Sequence, residues 1–166
     1  MITLHLLNTS EKNFTRNLQG IFTDLKIYGL SSGKSYTSGA MALCTSTESN
    51  VEVDIEKMAF RSPETIEHFV KKFRTFAINP IPNNPDVNWF YAVWTAMESY
   101  FKLSGRGFAT PKNFMLDLDS NAIIKNGESI AWFEHFKIGS FLICICSSMK
   151  FSEKNVEIAC FGVEDQ

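Results

Sequence analysis

Val51, Val53 and Ile55 alternate with Glu52, Asp54 and Glu56, the cleanest two-residue period in the chain. Successive side chains of an extended strand point to opposite faces, so this stretch makes one apolar face and one face of three carboxylates. An apolar strand face has to be covered, which calls for a sheet with another layer packed on it. Helical stripes that can supply a layer are present. Ile66, Phe69, Val70 and Phe73 follow the helix start Ser62-Pro63, and Phe90, Val93, Trp94, Met97 and Phe101 share one face between roughly Asp86 and Leu103. Phe14, Leu18, Ile21, Phe22 and Leu25 form a third stripe, capped by Thr9 or Ser10 and ended by Gly29.

Strands are expected at residues 2–7, 40–46, 114–119, 122–125, 128–131, 141–147 and 156–161. Asn126-Gly127 is the strongest hairpin signal. Residues 132–138 fit either a strand or a helix. The segments 141–147 and 156–161 are expected to pair as a hairpin, and Ser31 to Gly39 reads as a flexible loop. The fold class is therefore α+β: a single domain over residues 1–166, with a largely antiparallel sheet packed against about three amphipathic helices.

With 166 residues, 15 Phe, three Trp and four Tyr, the chain can bury a full core without a metal or a disulfide. Sixteen basic and 18 acidic side chains give a net charge of −2, which argues against a nucleic-acid partner or an anionic membrane surface. No signal peptide or membrane span is read. The cysteines Cys44, Cys144, Cys146 and Cys160 lie in apolar strand-like runs, so a reducing, cytoplasmic setting is expected.

Several residue groups suggest chemistry. Gly29 to Ser35, with Lys34, looks like a phosphate-binding loop, but its glycine spacing is one residue short and no helix follows the lysine. Cys144 and Cys146, with Cys160, could offer thiolates to zinc, although core packing explains them as well. Asp117 and Asp119, with Glu134-His135 nearby in the sequence, could centre a metal-dependent hydrolase or nuclease, or could simply end a strand in a turn. No nucleophile elbow or His pairing supports covalent catalysis. The remaining feature is the ladder Glu52, Asp54, Glu56, extended by Glu48 at the adjoining turn. It reads either as a solvated strand face or as a surface for a basic partner.

The acidic hairpin V51-E-V-D-I-E56 and the aromatic helix W89-F-Y-A-V-W94, set in a small α+β chain, give it a character that resembles bacterial immunity proteins of contact-dependent and other polymorphic toxin systems. That resemblance implies a non-enzymatic antitoxin, with no cofactor and no metal. It would bind and neutralise a cognate toxin domain, often basic, to which the ladder of Glu48, Glu52, Asp54 and Glu56 would offer a surface. The alternatives are a hydrolase or nuclease centred on Asp117 and Asp119, and a phage or viral inhibitor.

Overall fold

The computed structural model describes residues 1–9, 30–72, 77–105, 114–151 and 156–161. The helix expected over residues 14–25 lies outside them. In chain order the elements are β1 (Ile2–Asn8), β2 (Ser31–Thr37), β3 (Ala40–Ser46), β4 (Val51–Lys57), α1 (Pro63–Lys72), β5 (Ala77–Asn79) and α2 (Val87–Ser104). There follow β6 (Phe114–Asp117), β7 (Ala122–Lys125), β8 (Glu128–Ile138), β9 (Phe141–Ser147) and β10 (Val156–Phe161). The class is α+β, as the periodicities imply, but the strands divide between two sheets. One is four-stranded in the order β10-β1-β3-β2, the other six-stranded in the order β4-β9-β8-β7-β6-β5.

Two pairings are parallel, β1 with β10 and β5 with β6, and the rest are antiparallel. The hairpin expected between β9 and β10 does not form, because β10 lies beside β1 with Ile2 opposite Val156. The β7–β8 hairpin does form: Asn126 and Gly127 both take positive φ, 53° and 85°, as a tight two-residue turn requires. The ambiguous stretch 132–138 is strand, continuous with β8.

Two apolar layers hold these elements together. Leu4, Leu6, Ala42 and Cys44 of the four-stranded sheet pack on Val51, Val53, Ile55, Ile143 and Ile145 of the six-stranded one. The opposite face of the six-stranded sheet is covered by Ile66 and Phe69 of α1 and by Phe90, Tyr91, Val93, Met97 and Phe101 of α2. Each large side chain so buried contributes about 1.5–3 kcal/mol.

The ends of α2 are fixed by its sequence. Asp86 Oδ1 accepts the Trp89 amide at 2.8 Å, and Gly105 takes a left-handed backbone, φ 65°, and donates to Lys102 O at 3.1 Å. The buried hydroxyls of Thr95 and Ser99 donate back to Tyr91 O and Ala96 O, which lets polar residues sit against the sheet. No helix among the described residues is long and apolar enough to cross a membrane.

The segment Ser31 to Thr37, expected to be a loop, is strand β2, lying along the edge strand β4 of the other sheet. The Ser31 and Thr37 hydroxyls accept the Val51 and Lys57 amides at 3.1 and 3.3 Å. A side chain at Gly33 would put its Cβ 2.5 Å from Glu52 Cα. This glycine therefore serves close strand approach rather than phosphate binding.

Candidate functional site

The carboxylate face of β4 is not the open surface its alternation suggests. Helix α2 crosses it, and Trp94, Glu98 and Lys102, spaced four residues apart, present one helical stripe to it. At the centre is Asp54, only 4% exposed. Its Oδ1 accepts the Lys102 ammonium at 2.7 Å and the Ser35 hydroxyl at 2.9 Å. Lys102 Nζ also donates to Ser35 Oγ at 3.0 Å and Val53 O at 3.1 Å, so each of its three protons has an acceptor. Asp54 Oδ2 is buried and has no hydrogen-bond partner.

Further carboxylates surround this pair. Trp94 Nε1 donates to Glu56 Oε1 at 3.1 Å. Burial first, and then the charge of Asp54, raises the Glu56 carboxyl above its ordinary pKa. Glu98 is raised by burial and by Asp54, with Lys102 opposing and Glu56 adding to the effect. Glu52 is raised by burial, again with Lys102 opposing. Lys102, with Arg61 acting on Glu56 alone, thus faces several acids, and the group is short of positive charge.

A hard divalent cation binds carboxylate oxygens, and the donor types present, including the orphaned Asp54 oxygen, fit one in kind. Among the described residues, no three acidic, His or Cys side chains are gathered closely enough to hold an ion as they stand. A site of this kind can gather phosphate oxygens around a cation, which is the chemistry of phosphoryl-type group transfer. The cavity of about 220 Å³ lined in part by Ser120, Trp132, Glu134 and Lys150 includes none of these residues.

The comparisons agree with that chemistry. A family model for the 4'-phosphopantetheinyl transferase superfamily matches residues 51–156, from the first residue of β4 to the first of β10. The match takes in more than half of the chain, including Asp54, Glu56, Glu98 and Lys102, and the chain belongs to this superfamily. No individual curated protein matches it significantly.

Membership overturns the resemblance to immunity proteins, and with it the non-enzymatic antitoxin, the toxin-domain partner, the hydrolase or nuclease and the phage inhibitor. The family is one of transferases. The physical reason for the error is visible in β4: an alternating strand shows which residues share a face, not what covers that face. The ladder read as free for a basic partner is occupied by a helix that carries its own lysine.

The remaining expected site residues are dispersed. Glu48 lies outside the cluster, its exposed carboxylate 3.1 Å from the N-terminal amine. Asp117 ends β6, accepting from Asn79 Nδ2 at 3.0 Å and from the Ser120 hydroxyl, and these bonds, Ser120 foremost, lower its pKa. Asp119 is exposed in the turn that follows. His135 is turned toward α2, with Nε2 3.0 Å from Ala92 O, while its neighbour Glu134 lines the cavity on the other face of β8. Cys44, Cys144 and Cys146 are free, buried thiols; burial pushes Cys44 up to about 12 and raises the other two as well.

Sequence reasoning missed Ser35, Glu98 and Lys102. The signal for two of them was available. Glu98 and Lys102 are charged residues at i and i+4 in a helix otherwise apolar on several sides, where charge is costly unless it meets a partner.

Proposed function

We propose that this chain transfers a 4'-phosphopantetheinyl group from CoA to an acyl carrier protein, with Asp54, Glu56, Glu98 and Lys102 as the centre of the site. Membership of the superfamily, whose members act on carrier proteins with CoA, supports the reaction. The observation that carries the placement is the buried Asp54, held by Lys102 on one oxygen and left with a free acceptor on the other, inside the matched segment.

The transfer breaks a phosphorus–oxygen bond of the CoA diphosphate and forms one to a hydroxyl of the carrier. The adenosine bisphosphate leaves, and the hydroxyl loses its proton. Asp54, Glu56 and Glu98 would have to draw closer together to hold a divalent cation, which would then neutralise the diphosphate. Lys102 holds the Asp54 carboxylate in one orientation and tempers the acidity of the cluster. The proton of the hydroxyl passes to solvent water, since Glu98 would be engaged with the cation. The free thiols support a cytoplasmic setting.

The reading is tested by substitution. Asp54→Asn and Glu98→Gln should each lower carrier modification by about 10²-fold or more, while Asp117→Asn leaves it unchanged. Activity that depends on Asp117 and not on Asp54 would put the chemistry elsewhere.

A further inference from the structure

Residues 31, 33, 35 and 37 form one face of β2, and all four are small: Ser31, Gly33, Ser35 and Thr37. Ser31 and Thr37 bond the backbone of β4, and Gly33 permits the close approach. Ser35 differs from them, because its hydroxyl reaches the site itself. It is buried, donates its single proton to Asp54 Oδ1 at 2.9 Å and accepts from Lys102 Nζ at 3.0 Å.

We infer that Ser35 is a positioning residue of the transfer site, supplied by the four-stranded sheet from outside the segment that matches the family. The hydroxyl and the ammonium, 3.0 Å from each other, both bond Asp54 Oδ1, and this closed triangle restrains the carboxylate more tightly than either donor alone. Oδ2 then remains as the buried oxygen available to a cation. With the hydroxyl gone, Lys102 alone restrains the carboxylate, and it also loses one of its three acceptors. Partners that orient a metal ligand typically change metal affinity or activity by about 10–100-fold. The inference rests on the proposed function for the identity of the site, and its test does not depend on turnover alone.

Mg²⁺ alone is titrated into the full chain by calorimetry, and carrier modification is measured in parallel. Ser35→Ala should bind Mg²⁺ about 10-fold more weakly and lose kcat with little change in KM for the carrier. Ser35→Thr, which keeps the hydroxyl, should recover most of both. Thr37→Val is the structural control: it removes a hydroxyl of the same strand face that bonds only backbone, and should lower thermal stability without changing Mg²⁺ affinity. Should Ser35→Ala fail to fold, Ser35→Cys, similar in size and a poor donor, should show the same weakening.

Equal Mg²⁺ affinity in wild type and a folded Ser35→Ala or Ser35→Cys variant overturns the inference, as does an equal loss in Thr37→Val. A wild-type chain that binds no Mg²⁺ overturns it outright. If no carrier is modified but Mg²⁺ binding still depends on Ser35, the transfer reading fails and the positioning role stands.

Discussion

Lys102 gives each of its three ammonium protons an acceptor, on Asp54, Ser35 and Val53, while Asp54 keeps one buried oxygen without a partner. This imbalance makes the pair informative about stability as well as chemistry. Removing one member of a fully buried pair costs about 3–5 kcal/mol, because the other charge is left uncompensated. The Lys102 side chain is 31% exposed, so water takes over part of its role and Lys102→Met should cost less, about 1–3 kcal/mol in urea unfolding. Adding Asp54→Asn should return part of that loss, since the orphaned charge is then gone. Strict additivity of the two changes would mean that the pair is not coupled in solution. At this scale the sequence identifies Asp54 and Glu56 as notable through their shared strand face. It marks Lys102 only as a charge on a largely apolar helix, because its meeting with Asp54, 48 residues away along the chain, comes only through tertiary packing.

Among the elements, β2 and β8 carry the sharpest consequences. Gly33→Ala places a Cβ 2.5 Å from the Glu52 backbone, so strand β2 has to move. Gly39→Ala meets nothing within 4 Å and suffers only from its φ of +85°. The first should destabilise by about 2–3 kcal/mol and the second by about 1 kcal/mol, a difference that thermal unfolding resolves.

His135 ties β8 to α2 and titrates with a sign of its own. Burial holds it at about 4, below its ordinary 6.5. Its contribution to stability is therefore complete above pH 6.5 and is lost as pH falls toward 4. Glu52, Glu56 and Glu98, raised above 4.5, act oppositely: their contribution is complete below 4.5 and is lost as pH rises through their folded values. His135→Gln keeps a donor for Ala92 O but removes the histidine titration. It should lose less stability than wild type between pH 6.5 and 4, by up to about 3 kcal/mol. Identical acid limbs would show that folding does not lower the His135 pKa.

The elements with strong local signals were legible: β4 from its alternation, α2 from its apolar stripe, and β7–β8 from Asn126-Gly127. Strand β2 was not, because a strand that lays serine and glycine against another sheet's edge has the composition of a loop.

Across the whole molecule, neither sheet can shield its apolar face alone. Val51, Val53, Ile55, Ile143 and Ile145 are covered by Leu4, Leu6, Ala42 and Cys44, which precede the segment matching the family. A fragment beginning at Val51 should therefore expose that layer and fail to give a cooperative unfolding transition by circular dichroism. A cooperatively folding fragment would show that the first sheet is dispensable. The long-range pairing of β1 with β10 was invisible for a related reason. Each strand is recognisable locally, but parallel partners at opposite ends of a chain leave no turn between them to reveal the pairing.

The family reading converts this architecture into a definite expectation. The full chain, incubated with CoA, Mg²⁺ and an unmodified acyl carrier protein, should increase the carrier's intact mass by one phosphopantetheinyl group, as read by mass spectrometry. An unchanged carrier mass, on a panel of carriers that a known phosphopantetheinyl transferase modifies under the same conditions, would contradict the account.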